Sequence, residues 1–267
     1  MNSTTFEAAR DELARARRDA RPISTWPAER KPADLVEAYR LQAAVAAVLG
    51  EIAGWKVAAV TETQRQALGV DRPIAAPLPK AFMHDSRGAV PTLKLAGFIA
   101  PRLECEFAFE LATDLPHRPG RPYLRAEVAA AVRALRLGVE IVDWRLPRDL
   151  GALAELGDGF NNGAYVAGPA IVAWSDIDFG ATSIVLTRDH EGAVEQVADG
   201  NGRAILEGDP FATVVMLANA PADATRGLLA GDIVTTGSCT GAPLVPGEGA
   251  YRAGFGQLGS VEFTFTR

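Results

Sequence analysis

Histidine and cysteine are scarce in this chain of 267 residues: three histidines, His84, His117 and His190, and two cysteines, Cys105 and Cys239. No two histidines stand at a spacing suited to sharing a metal, and neither cysteine belongs to a C-x-x-C pair, which argues against an imidazole or thiolate zinc site. No disulfide is expected. A G-x-S-x-G elbow is also missing, which removes the usual serine-hydrolase arrangement. Positive charge is not in surplus: the formal net charge is -6, a balance that disfavours nucleic acid and anionic membranes as partners. No apolar run approaches the ~20 residues of a membrane span. The opening M-N-S-T-T-F-E-A-A-R-D-E carries no charged-then-apolar leader pattern, so a cytoplasmic location is expected.

What is present is ordinary globular material, 48% hydrophobic and 22% charged, enough for one large domain or one domain with an appended segment. Residues 5–18 and 32–49 read as helices, the second with Pro32 early and Gly50 as its stop. Together they form an expected N-terminal helical segment, 1–53. From Gly54 to Arg267 the texture changes to short apolar or alternating runs broken by Gly, Pro and Asp. G-W-K-V-A-A-V, R-L-E-C-E-F-A-F-E-L, L-G-V-E-I-V-D-W-R, A-Y-V-A-G-P-A-I-V and T-S-I-V-L-T-R read as strands, with D-H-E-G as a hairpin turn. Helices are expected at 62–68, at about 126–135, and from Pro210 to about Asn219 behind an Asp209 cap. Strands and helices do not alternate regularly, which favours a β-rich α+β core over a doubly wound sheet.

Three stretches place ionisable groups where burial is costly. In R-L-E-C-E-F-A-F-E-L the period-two pattern sets Leu103, Cys105, Phe107 and Phe109 on one face and Glu104, Glu106, Ala108 and Glu110 on the other. Same-face neighbours on a strand lie ~6.6 Å apart, so Glu104 and Glu106 can aim at one point. Such a pair is either a solvated strand face or a pair of cation ligands. Glu140 stands in the apolar, β-branched V-E-I-V, where an acid must be paired, bound to a cation or turned to an edge. Asp143 and Arg145 could pair with each other. Three carboxylates from two strands would make an all-oxygen site suited to Mg²⁺ or Mn²⁺ rather than zinc. Lys56 is the mirror case, a lysine in an apolar strand that either snorkels to solvent or sits charged beside acids. The histidines read as loop residues. G-D-G-F-N-N-G offers Asp158, Asn161 and Asn162 either as polar site residues or as plain turn formers.

G-W-K-V-A-A-V-T-E-T-Q-R-Q-A-L-G-V-D-R-P, R-L-E-C-E-F-A-F-E-L, G-V-E-I-V-D-W-R and the segment from Gly231 to Phe265 occur in the order found in one family. Together they resemble the 2-keto-4-pentenoate hydratase/4-oxalocrotonate decarboxylase family of the fumarylacetoacetate hydrolase superfamily, over nearly the whole chain. The resemblance implies a β-sandwich-like roll of the fumarylacetoacetate hydrolase C-terminal type over residues 54–267, and a divalent cation, Mg²⁺ or Mn²⁺, held by Glu104, Glu106 and Glu140. It places Lys56 in the catalytic pocket and implies Asp158 and Asn162 as catalytic residues beside it. It further implies a lyase that adds water to a small 2-hydroxy-dienoate or 2-oxo-enoate from aromatic meta-cleavage. Alternatives are a 2-oxo-acid decarboxylase, a carbon–carbon hydrolase, and a non-catalytic metal-binding subunit that supports a decarboxylase partner. A homo-oligomer is expected on the same ground. The chain departs from the family pattern at Ile74, where hydratases carry an acid soon after G-V-D-x-P, and at Asn162, where a serine is common.

Overall fold

The computed structural model describes residues 1–221 and 223–267. Helix α1 (Ser3–Asp19) opens where the Asn2 side chain accepts the Thr5 N–H at 2.9 Å, and α2 (Leu35–Leu49) opens where Asp34 accepts the Glu37 N–H at 2.8 Å. The expected start of the second helix near Pro32 is therefore corrected: Asp34 is the cap, because its carboxylate satisfies an N–H that a proline cannot. Gly50 ends α2 in a backbone conformation with positive φ, as the sequence suggests. The two helices pack on each other through Phe6, Ala9, Leu13, Leu41 and Val45.

The strands follow as β1 (Ile52–Ala58), β2 (Ile74–Pro79), β3 (Met83–Asp85), β4 (Thr92–Lys94), β5 (Arg102–Leu111), β6 (Val132–Val142) and β7 (Asn162–Ile171). They continue as β8 (Ser183–His190), β9 (Ala193–Asn201), β10 (Ile233–Thr235), β11 (Gly249–Gly254) and β12 (Ser260–Thr266). Between them lie α3 (Glu62–Leu68), α4 (Arg125–Ala131), α5 (Ala152–Gly157) and α6 (Pro210–Ala218), the last capped by Asp209. Ile52 and Ala53 belong to β1, so the 53/54 boundary falls within a strand. His84 lies on β3 rather than in a loop.

Seven strands form one sheet in the order β2-β1-β10-β5-β6-β7-β3, and five form a second in the order β4-β12-β11-β8-β9. The main core lies between them. Leu103, Cys105, Phe107, Phe109 and Leu111 of β5 and Leu135, Leu137, Val139 and Ile141 of β6 are all fully buried, and they belong to one cluster with Tyr251, Phe263 and Phe265 of the smaller sheet. Each such side chain contributes about 1.5–3 kcal/mol by leaving water. This architecture is the β-rich α+β roll expected from the sequence, with its helical N-terminal segment. The helix expected over 126–135 is shorter: α4 ends at Ala131, and Val132 onward is strand. From Leu135 the odd-numbered side chains fill the core at period two, and that tertiary burial overrides the helix preference of the Ala-rich run.

The second face of β5 is also covered, which corrects the half-buried reading of that strand. Ala108 packs with Tyr165 and Ala167 of β7. Glu110 is buried and accepts hydrogen bonds from Arg136 at 2.8 Å and Arg133 at 3.0 Å.

Candidate metal centre

Pairing of β5 with β6 sets Glu104 directly opposite Glu140 and Glu106 opposite Gly138. Gly138 has to be glycine: a Cβ there would lie 1.7 Å from the Tyr165 hydroxyl. Oxygens of Glu104, Glu106 and Glu140 can approach within 4.8 Å of one another. Glu106 and Glu140 are 1% and 0% exposed, so the solvated-face reading of the paired glutamates does not describe this strand.

Lys56 reaches the cluster from β1. It is buried, its Nζ lies 2.8 Å from Glu140 Oε1, and it donates to the Phe160 carbonyl at 3.2 Å. Strand β10 stops at Thr235, and the chain leaving the sheet turns the N–H groups of Thr236 and Gly237 onto Glu106 Oε2 at 3.1 and 2.8 Å. Asn162 donates through Nδ2 to Glu140 Oε1 at 3.0 Å, while its Oδ1 accepts from Arg17 of α1 at 2.5 Å. Arg17 is 7% exposed and also donates to the Gly163 carbonyl.

The electrostatics follow from crowding acids away from water. Burial, then the charge of Glu140, pushes the Glu104 carboxyl up to about 7. Burial, then Glu140 and Glu104, drives Glu106 well above the ordinary carboxylate range. Burial alone would pull Lys56 down, but Glu140 and Glu104 outweigh it and raise its pKa, so Lys56 stays protonated. Arg17 is pulled down to about 9 by burial and then by the nearby Arg145.

Two observations show that the donor set suits a divalent cation. Glu140 Oε2 is buried without a hydrogen-bond partner, an arrangement that costs free energy unless a ligand completes it. In the surrounding cluster five acids, Glu104, Glu106, Glu140, Asp143 and Asp158, face three cations, Arg17, Lys56 and Arg145, and the raised pKa values of Glu104 and Glu106, caused by burial and by neighbouring acids, mark where a divalent cation would supply the missing positive charge. A ligand set made of carboxylate oxygens suits hard ions such as Mg²⁺ and Mn²⁺.

The centre opens into a cavity of about 360 Å³, whose walls include Val57, Val60, Val142, Trp144, Phe160 and Ile205, with Gln64, Asn161 and Ser238 as polar points. Among the described residues, no histidine lines it. Gly159, Phe160 and Asn161 have successive positive φ values of 75°, 47° and 62°. This left-handed run costs ~1–2 kcal/mol at each non-glycine residue, and it turns the Phe160 carbonyl toward Lys56.

Of the residues singled out in the sequence, the fold brings Lys56, Glu104, Glu106 and Glu140 to one cavity wall. Asn162 lies behind them against Glu140. Asp158 stands apart: its carboxylate accepts from Arg145 Nε at 2.9 and 3.1 Å, and it does not line the cavity. A catalytic Asp158 is therefore corrected to a structural one, because both of its oxygens are held by a buried guanidinium. Nor does Asp143 form the ion pair with Arg145 considered above; its oxygens accept the N–H groups of Ile99 and Ala100 at 2.9 and 2.8 Å. Replacing Arg145 with Met should strand the Asp158 charge in the interior and lower stability by about 3–5 kcal/mol. Chemical denaturation measures this, and a loss under ~1 kcal/mol would show the pair to be dispensable.

Sequence reading missed Arg17 and the N–H groups of Thr236 and Gly237. The first left a signal: Phe6, Ala9, Leu13 and Ala16 form the buried stripe of α1, and Arg17 follows Leu13 by one helical turn. Backbone donors leave none, since every residue but proline has one.

A β-rich roll of two sheets with a helical N-terminal segment is the fumarylacetoacetate hydrolase type of fold. No protein-family model matches the chain. It is 30% identical over 264 residues to 2-keto-4-pentenoate hydratase 2 of Dechloromonas aromatica, covering 97% of each chain. It is 28% identical over 200 residues to 4-oxalocrotonate decarboxylase of Pseudomonas sp. strain CF600, covering 74% of this chain and 72% of that one. The solved 4-oxalocrotonate decarboxylase from Pseudomonas putida G7, complexed with magnesium and adipate, superposes with a TM-score of 0.85 at 22% identity, over 100% of this chain and 99% of that one. The chain belongs to the 2-keto-4-pentenoate hydratase/4-oxalocrotonate decarboxylase family.

Proposed function

We propose that this protein is a divalent-metal-dependent hydratase that adds water to a small 2-hydroxy-dienoate or 2-oxo-enoate of aromatic meta-cleavage. The observation that carries the reading is the convergence of Glu104, Glu106 and Glu140 beside protonated Lys56 on one wall of the cavity. Glu104, Glu106 and Glu140 would hold the cation, Mg²⁺ or Mn²⁺, which when bound supplies Lewis acidity toward the carboxylate and 2-oxo oxygens of the substrate. Lys56 contributes the mobile proton, held ready by Glu140 and aimed by the Phe160 carbonyl. Val57, Val60, Val142 and Ile205 enclose the hydrocarbon part of the substrate. Asn162 acts from behind, orienting Glu140. As part of the same reading, on the family resemblance alone, the protein is a cytoplasmic homo-oligomer that works beside a decarboxylase partner.

The test follows the ultraviolet absorbance of 2-hydroxypenta-2,4-dienoate with purified protein, with Mg²⁺ and after chelation. Mg²⁺-dependent loss that yields 4-hydroxy-2-oxopentanoate is the expected result. Decay no faster than spontaneous ketonisation would remove the hydratase reading.

One observation favours decarboxylation of a 2-oxo acid as the second reading. Ile74, where hydratases carry an acid, is 1% exposed and packs with Ala38, Tyr39 and Leu156, away from the cavity. Among the described residues, the cavity walls hold no acid beyond the three glutamates. Decarboxylation needs a proton donor and an electron sink but no group to activate water. Release of CO₂ from a 2-oxo-hexenedioate, without hydration of the shorter dienoate, would decide for it.

A further inference from the structure

Arg17 is an expensive residue in its place. It is 7% exposed, its Nε has no hydrogen-bond partner, and its Nη2 donates only to neutral oxygens, Asn162 Oδ1 at 2.5 Å and Gly163 O at 3.2 Å. A buried cation without a directly bonded anion is unfavourable unless it does something that a neutral residue would not. The Phe82 ring, 4.4 Å from the guanidinium carbon, offsets only part of that cost.

What Arg17 does is settle the orientation of an amide. A guanidinium only donates and an ionised carboxylate only accepts. Asn162 lies between the two, so its Oδ1 has to face Arg17 and its Nδ2 has to face Glu140, as the distances of 2.5 and 3.0 Å show. Without Arg17 the amide could rotate and set its oxygen against the carboxylate. With Arg17 in place, Asn162 Nδ2 and Lys56 Nζ both occupy Glu140 Oε1, and Oε2 is the oxygen left without a partner. The choice of which Glu140 oxygen is free is thus made on helix α1, outside the sheet that carries the carboxylates.

We propose that Arg17 is a positioning residue of the metal centre, which acts through the Asn162 amide to present Glu140 Oε2 to the divalent cation. This rests on the metal-centre reading above and extends it to the N-terminal helix. Residues that orient a ligand in this way typically change metal affinity by ~10–100-fold when replaced.

The experiment titrates Mn²⁺ alone into wild type, Arg17→Met, Arg17→Lys, Asn162→Leu and the Arg17→Met/Asn162→Leu double variant, following free Mn²⁺ by electron paramagnetic resonance. Thermal unfolding of each metal-free protein shows which variants are folded. Arg17→Met should weaken Mn²⁺ binding by ~10–100-fold. Lysine keeps one donor toward Asn162 and should restore part of the loss. The double variant should bind no more weakly than the worse single variant, because both changes cut one chain of contacts. Asn162→Leu and Arg17→Lys carry the test if Arg17→Met does not fold. A folded Arg17→Met or Asn162→Leu variant that binds Mn²⁺ within about twofold of wild type, or fully additive losses in the double variant, would overturn the proposal. So would a lower melting temperature with unchanged affinity, which is what a purely structural arginine gives. If wild type binds Mn²⁺ and Arg17→Met binds it equally well, the inference about Arg17 fails alone. Wild type that binds no Mn²⁺ overturns the metal-centre reading and this proposal with it.

Discussion

Glu106→Gln should abolish metal-dependent turnover while leaving the protein folded. Oε2 of Glu106 already accepts two backbone N–H groups, from Thr236 and Gly237. A glutamine would turn its carbonyl oxygen to those donors and therefore its NH₂ toward Glu104 and Glu140. That places a donor where a cation needs an oxygen. The loss should approach the whole electrophilic contribution of the centre, ~4 kcal/mol or about a thousandfold in kcat/KM. Stability moves the other way. The Glu106 carboxyl is held well above its ordinary pKa by burial and by Glu140 and Glu104, so its charged form is disfavoured in the folded protein at neutral pH. The neutral amide removes that penalty, and the metal-free variant should melt at or above the wild-type temperature. Wild-type turnover in Glu106→Gln would put the cation elsewhere.

Lys56→Met should separate proton transfer from metal binding. Methionine keeps the length and the apolar stem of the side chain but removes the only Lys or Arg on the cavity wall among the described residues. A positioned proton donor is worth about 10²–10⁴ in rate, and kcat/KM should fall within that range. Glu140 keeps its Asn162 hydrogen bond and loses a competing cation, so Mn²⁺ affinity should hold or rise. If Mn²⁺ binding collapses together with activity, Lys56 holds the carboxylates in place rather than serving the chemistry.

The parts of this centre that were legible in the sequence share one property: each is a charged residue on a strand whose neighbours fix its direction. Alternation around Glu104 and Glu106 put both on one face, and the apolar neighbours of Glu140 and Lys56 left each charge two places to go, solvent at an edge or a counter-charge inside, between which the fold decides. Asp158 misled because its partner Arg145 lies 13 residues away and no local pattern reports which acid an arginine will choose. Arg17 was hidden by distance along the chain, since its contact with Asn162 closes over 145 residues. In the fold, the hydrophobic texture was sufficient for the long strands β5 to β8. The short strands β3 and β4, three residues each, carry too few positions for a period to show. The end of α4 at Ala131 was obscured because the Ala-rich run suits a helix until the core claims Leu135 and Leu137.

The left-handed run at 159–161, the turn after β10 and the side chain of Arg17 have a bearing on how the protein refolds. Glu104, Glu106 and Glu140 arrive on neighbouring strands joined by the single excursion through α4, so their approach closes a shorter stretch of chain than the contacts around them. The contacts that temper them close loops of 104 residues for Lys56 with Phe160, 130 for Glu106 with Thr236 and 145 for Arg17 with Asn162. Closing long loops carries more entropy cost and comes later. The acids should therefore meet before these partners reach them, and in a refolding time course the return of Mn²⁺ binding should lag behind the return of β-sheet signal.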